Sequence, residues 1–189
     1  MSETITFYLV RHGEAENNVR GILNSLPIRH EYPLTERGRK QAAEAGELLQ
    51  TKEADVLFSS PILRARETAE IISQATELPI IFDDRLCEAG MGVFNEHDQK
   101  EMLKKYPNST MRISPDPADG MESFLDVRGR LTALLDELKN SYAGKKVILV
   151  SHGDPLEQLH GILTEESPGS AARGWYPEKG SCAEVVFRF

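Results

Sequence analysis

Apolar positions along this chain fall either in short continuous runs or in stripes of helical spacing, and the two patterns alternate. Residues Ile5 to Val10 form a compact β-rich run that stops abruptly at Arg11-His12-Gly13, as a buried strand entering a loop does. From Leu34 to Leu49 the spacing becomes helical, with Ala42, Ala45, Leu48 and Leu49 on one face and Leu34-Thr35 supplying a cap. A second strand, Asp55 to Ser59, leads at once into Ser60-Pro61. That pair reads as a helix start, with a capping hydroxyl and Pro at the first helical position, for a helix reaching about Ala75. Pro79 to Phe82 predicts a third short strand, and Glu96 to Lys105 a polar amphipathic helix.

The stretch from Tyr106 to Gly120 holds Pro107, Pro115 and Pro117 among Asn and Ser residues and predicts a long excursion without regular structure. Excursions of this kind in compact domains often face substrate. Glu122 to Asn140 is a long amphipathic helix whose stripe is Phe124, Val127, Leu131, Leu134, Leu135 and Leu138. Lys146 to Val150 predicts a strand, Pro155 to Leu163 a helix and Ala183 to Phe189 a closing strand. Strands that alternate with helices imply a single α/β domain spanning residues 1–189, with a mainly parallel central sheet and helices on both faces.

Composition narrows the possible partners. The chain has 189 residues, 22 Lys+Arg against 30 Asp+Glu, and a formal charge of −8. A chain this size buries about 70% of its unfolded surface, enough for one well-packed domain. The acidic balance argues against nucleic acid or an anionic membrane as the main partner, because polyanions are usually met by a basic face. An anionic substrate therefore needs a local basic pocket. The start Met1-Ser2-Glu3-Thr4 has no basic flank or apolar core, and the apolar runs are too short for a bilayer, so a cytoplasmic location is expected. Cys87 and Cys182 have no metal-ligand or redox spacing and read as two dispersed thiols.

One local echo carries chemistry. Leu9-Val10-Arg11-His12-Gly13-Glu14 near the start is matched by Leu149-Val150-Ser151-His152-Gly153-Asp154 near the end. Each is a strand followed by His-Gly and an acid. Ligands of open α/β sheets bind beyond the carboxyl ends of strands, so two such ends could bring His12 and His152 together, each Gly letting backbone approach a ligand closely. Taken singly, either segment is an ordinary strand-ending turn. Arg64 falls near the start of the helix after the second strand, where a cation is normally disfavoured unless an anion is shared with the helix terminus. An ordinary surface arginine is the alternative there.

These residues fall in a wider order. Arg11-His12-Gly13-Glu14 with Asn18, Leu34-Thr35-x-x-Gly38, Ser59-Ser60-Pro61-x-x-Arg64-Ala65, Leu86-x-Glu88-x-x-x-Gly92, Gly120-Met121-Glu122-Ser123 and Val150-Ser151-His152-Gly153 together resemble the histidine phosphatase superfamily, also called the phosphoglycerate mutase-like family. The match covers nearly the whole chain. The resemblance implies that fold, with His12 as nucleophile, Arg11 and Arg64 as phosphate clamps, and His152 as a further phosphate donor. It also implies Glu88 as general acid and base, Asn18 as an accessory phosphate contact, and neither metal nor cofactor. The glycolytic mutases of the family have Glu-Arg-His-Tyr-Gly where this chain has Glu88-Ala89-Gly90-Met91-Gly92, which favours the phosphatase branch.

The expected activity is hydrolysis of a small phosphate ester through phosphohistidine. A phosphoglycerate mutase-type phosphomutase is the runner-up, and a phosphate-recognising regulatory module without turnover is the alternative from another class. Glu14 and Asp154 are expected to organise their loops through backbone hydrogen bonds. His30, His97 and His160 are expected in surface or supporting roles, and Trp175 in packing or at a pocket rim. Pocket walls are expected from Ile22 to Tyr32, from Glu88 to Glu96 and from the Tyr106 to Gly120 excursion.

Overall fold

A computed structural model describes residues 3–168 and 174–189. Five strands form one sheet in the order β3-β2-β4-β1-β5: β1 is Thr4–Arg11, β2 Val56–Ser59, β3 Ile80–Phe82, β4 Lys146–Ser151 and β5 Cys182–Arg188. Strands β1 to β4 are parallel and β5 pairs antiparallel with β1. The period of two along β1 divides the core. Ile5, Phe7 and Leu9 point to one face, where α5 (Phe124–Tyr142) and α6 (Gly153–Leu163) cover them. Tyr8 and Val10 point to the other, covered by α2 (Glu36–Gln50) and α3 (Leu63–Thr76).

The α5 stripe is buried as its spacing predicts, from Phe124 through Leu138, and each of these side chains contributes about 1.5–3 kcal/mol relative to exposure. Ser123 caps α5 by accepting from Asp126 N, while the Asp126 carboxylate receives the Ser123 N–H in return. The helix therefore starts at Phe124 and not Glu122. Thr35 caps α2 through Gly38 N at 3.0 Å, as its position predicts.

Other boundaries depart from expectation for local reasons. Pro61 precedes α3 and does not begin it: Ile62 is extended and the helix starts at Leu63. The Ser60 hydroxyl accepts from Ile62 N at 3.3 Å and also meets His152 Nε2 at 2.8 Å, so it serves the turn and the second histidine instead of the helix end. The polar helix α4 covers Gln99–Lys105 and is capped by Asp98; Glu96 has φ 67°, a left-handed conformation that no helix can contain. A short helix α1, Glu16–Arg20, lies where no helix is expected.

The Tyr106 to Gly120 excursion is more ordered than predicted. It contains two 3-10 turns, Ser109–Arg112 and Pro117–Asp119. The Tyr106 hydroxyl donates to Asp119 Oδ2 at 2.5 Å and accepts from Asp116 N at 3.0 Å, pinning the loop's two ends together. Both cysteines are free thiols. Among the described residues no helix is long and apolar enough to cross a membrane.

Candidate active site

Parallel pairing of β1 with β4 puts Arg11 opposite Ser151, so the two histidines leave neighbouring strand ends side by side. Their ring centroids are 5.1 Å apart, and His12 N donates to Ser151 O at 3.0 Å. The glycines after them lie close against protein, where a side chain would clash. A Cβ on Gly13 would lie 2.3 Å from Gly38 O of α2, and one on Gly153 would lie 2.1 Å from the Tyr176 hydroxyl.

The hydrogen bonds fix the tautomer of His12. Its Nδ1 is 2.7 Å from Gly13 O, and a carbonyl can only accept, so Nδ1 carries the proton and Nε2 the lone pair. Arg64 Nε donates to that Nε2 at 3.1 Å. The rest of the Arg64 fork is held by Asn24, with Nη1 on Oδ1 at 2.6 Å and Nη2 on the backbone carbonyl at 2.9 Å. Asn24 in turn donates to Glu96 Oε1 at 2.6 Å. Arg11 Nη1 donates to Pro177 O at 2.8 Å, and its guanidinium stacks 5.2 Å from the Tyr176 ring centre.

These groups open on a cavity of about 170 Å³ lined by Arg11, His12, Asn18, Arg64 and Glu88. His152 sits fully buried behind His12, with Nε2 on Ser60 Oγ and a buried Nδ1 that has no partner. Asn18 Oδ1 accepts from Ala15 N at 3.1 Å, which leaves the amide NH₂ as its donor. The expected walls are present in Ile22 to Asn24, Met91 and Arg112, while Gln99 and Met102 of α4 add a side that was not foreseen.

Charge and burial set the protonation states. Burial, then Arg64 and Arg11, holds His12 well below its ordinary value, so the ring is neutral near pH 7. His152 is lowered by burial and by Arg64 as well. Burial pulls Arg64 down to about 10, which leaves it cationic. Glu88, partly buried with Oε1 accepting from Ala89 N at 2.9 Å, is pushed up to about 7 by desolvation and then by Asp154, against the pull of Arg64.

Three residues of the cavity wall have partners that the sequence does not reveal. Arg112, only 6% exposed, comes from the excursion and donates from Nη1 to Asp154 Oδ2 at 2.6 Å. Tyr176 leaves 45% of its surface exposed but sends its hydroxyl inward to Asp154 Oδ1 at 3.3 Å. Asp154 is therefore a cavity residue with side-chain partners and not a loop acid bonded to backbone. Glu14 also departs from expectation, since its Oε1 accepts from Thr35 Oγ1 at 2.9 Å. Trp175 packs away from the cavity and stacks on His160 at 4.5 Å, whereas His30 and His97 lie at the surface beside Glu96 and Glu101.

A parallel sheet whose adjacent strand ends deliver two histidines, with two arginines beside them, defines a phosphoglycerate mutase-like α/β protein with a cationic centre. The family model of the histidine phosphatase superfamily (branch 1) matches residues 7–188, and the chain belongs to that family. Among its relatives is an uncharacterized phosphatase, PhoE, of Bacillus subtilis, 34% identical over 85% of this chain and 77% of the relative. Another is phosphoserine phosphatase 1 of Hydrogenobacter thermophilus, 32% identical over 84% of this chain and 76% of the relative. A probable phosphoglycerate mutase, GpmB, of Escherichia coli is 34% identical over 79% of this chain and 70% of the relative. Of the solved structures, Bacillus stearothermophilus YhfR superposes with a TM-score of 0.82 at 27% identity, covering 95% of this chain and 90% of that one.

Proposed function

We propose that this protein is a phosphomonoesterase that hydrolyses small phosphate esters through a phosphohistidine on His12. The observation that carries the reading is the fixed tautomer: Nδ1–H is committed to Gly13 O, which leaves the Nε2 lone pair beside Arg64 in a cavity that also contains Glu88. Phosphoryl transfer asks for positioning and charge stabilisation, and the guanidinium groups of Arg11 and Arg64 supply both for a phosphate dianion. Asn18 adds an amide donor, and His152, behind His12, offers a buried Nδ1 that no protein group occupies. The cavity is smaller than those that take drug-sized ligands, in keeping with a short leaving group.

The first step forms the Nε2–P bond and breaks the ester P–O bond, while protonated Glu88 gives its proton to the departing oxygen. Glu88, now a carboxylate, takes a proton from water in the second step. The hydroxide oxygen bonds to phosphorus, the P–N bond breaks, and phosphate leaves with His12 neutral and Glu88 protonated again. A value of about 7 for Glu88 suits both duties. A cytoplasmic enzyme acting on soluble esters, with no nucleic-acid partner, is in keeping with the acidic surface.

Turnover of a chromogenic aryl phosphate in the presence of chelator tests this. Release by the wild-type protein and its loss in His12→Ala are expected; no release, or unimpaired release by His12→Ala, overturns the reading. The relative named as a probable mutase makes phosphomutase the second reading. Isomerised sugar-acid phosphate appearing faster than free phosphate, with a bisphosphate primer, would establish that reading in its place.

A further inference from the structure

A second cavity, of about 360 Å³, lies beside the first, and Arg11 and Tyr176 line both. Arg11 reaches it from the end of β1, Arg37 from the first turn of α2, and Lys179 from the turn before β5. Among the described residues that line it, Arg11, Arg37 and Lys179 face the carboxylates Glu14 and Glu178, one excess positive charge on a chain of net charge −8.

Its donors are poorly matched. Arg11 Nε is buried without a partner. Burial, and then Arg11, pulls the Lys179 ammonium down, and no ion pair is formed by it among the described residues. Gln41 uses Oε1 to accept from Glu14 N at 2.8 Å, leaving its amide NH₂ as a donor. Arg37 is 3.6 Å from Glu14, a long contact on a mostly exposed side chain. Such a surplus of donors around a concave space suits an oxyanion.

The frame that carries these donors is tied to the first site. Gly180 N is shared by the carbonyls of Arg11 and His12 at 3.1 Å each, and Arg11 N donates to Ser181 O at 3.2 Å. Gly180 itself has φ +72°, and a Cβ there would fall 2.5 Å from Gln41 Cβ, so the turn bearing Lys179 packs directly on α2. Lys179 is thus held by a turn bonded to the backbone of the very residues that build the first cavity.

We propose that this second cavity binds a phosphate group and shares Arg11 with the catalytic cavity. The assignment of the first cavity rests on the function proposed above; the second site does not. Its ligand is either inorganic phosphate released by the reaction or a second phosphate on the substrate. In both cases an anion beside Arg11 competes for a guanidinium that lines both cavities. Free phosphate would then lower turnover without having to displace substrate.

Equilibrium dialysis of the full chain against radiolabelled inorganic phosphate counts the sites without reference to turnover. The wild-type protein should bind two phosphates, and the Arg37→Gln/Lys179→Gln double variant should weaken one of them by roughly tenfold for each charged contact removed. Lys179→Arg should retain both. A single phosphate whose affinity the double variant leaves unchanged, or two with unchanged affinities in the double variant, overturns the proposal. Failure of the catalytic reading alone would still leave an ion that depends on Arg37 and Lys179. Phosphate inhibition of aryl phosphate turnover should lower the maximal rate of the wild type and not of the double variant; strictly competitive inhibition of the wild type refutes the sharing of Arg11. A loss of kcat/KM confined to bisphosphorylated esters in the double variant assigns the site to substrate, and equal kcat/KM for both ester types assigns it to free phosphate.

Discussion

Replacing Glu88 with Gln keeps the side chain's shape and removes its titration. The carboxyl is pushed from 4.5 to about 7 by burial and by Asp154, a gap worth about 3 kcal/mol between its two protonation states. A raised acid in the folded state binds its proton more tightly than in the unfolded chain. Its contribution to stability is therefore complete below about pH 4.5 and is lost as pH rises to about 7. Above that range the wild type keeps a desolvated carboxylate beside Asp154, and the variant does not. Gln retains an oxygen for Ala89 N, which Glu88 Oε1 receives at 2.9 Å. Urea unfolding should give similar stabilities at about pH 4 and a variant that is more stable by about 3 kcal/mol at about pH 8. Over the same comparison, hydrolysis of an alkyl phosphate should fall by about 10²–10⁴ in the variant, the usual loss for a general acid. A stability difference that does not change with pH would refute the argument that burial and Asp154 hold Glu88 protonated.

Arg64→Lys should lower kcat/KM by about 10²-fold or more, because one ammonium cannot replace three N–H groups aimed at His12 Nε2 and at two oxygens of Asn24; steady-state kinetics with an aryl phosphate checks it. Asp154→Ala leaves Arg112 buried without its carboxylate and should cost about 3–5 kcal/mol in urea unfolding, with a loss near zero contradicting the pairing. Gly13→Ala drives a Cβ to 2.3 Å from the Gly38 carbonyl, where backbone on both sides must move, and should destabilise by about 1–3 kcal/mol; an unchanged Tm would show that this close approach is not required.

Much of the fold was legible because the core is organised by simple periods. The run from Ile5 to Val10 and the stripe from Phe124 to Leu138 state their own faces, and both are buried as those periods predict. Arg11, His12 and Arg64 meet with His152 behind because parallel pairing aligns the ends of β1, β4 and β2, and Asn18 and Glu88 line the same cavity from α1 and from the loop after β3. What stayed hidden depends on contacts distant in sequence. Arg112 lies 42 residues from Asp154, inside a Pro-rich segment whose order comes from Tyr106, Asp119 and that ion pair instead of from local propensity. Asn24 shows no pattern of its own and matters because Arg64, 40 residues away, uses both its side chain and its carbonyl. Helix α1 has five residues, too few for a periodic signal, and Tyr176 enters the site only because β5 runs back along β1.

The central claim is that phosphorus passes through His12 Nε2. Rapid quench of the wild-type protein with a slowly hydrolysed phosphate ester, followed by mapping of the modified peptide under alkaline conditions, addresses it directly. An acid-labile phosphoryl group is expected on the peptide containing His12, formed and lost at rates that match turnover, and absent from His12→Ala. Turnover without a phosphoenzyme, or a phosphoryl group on any other residue, would contradict it.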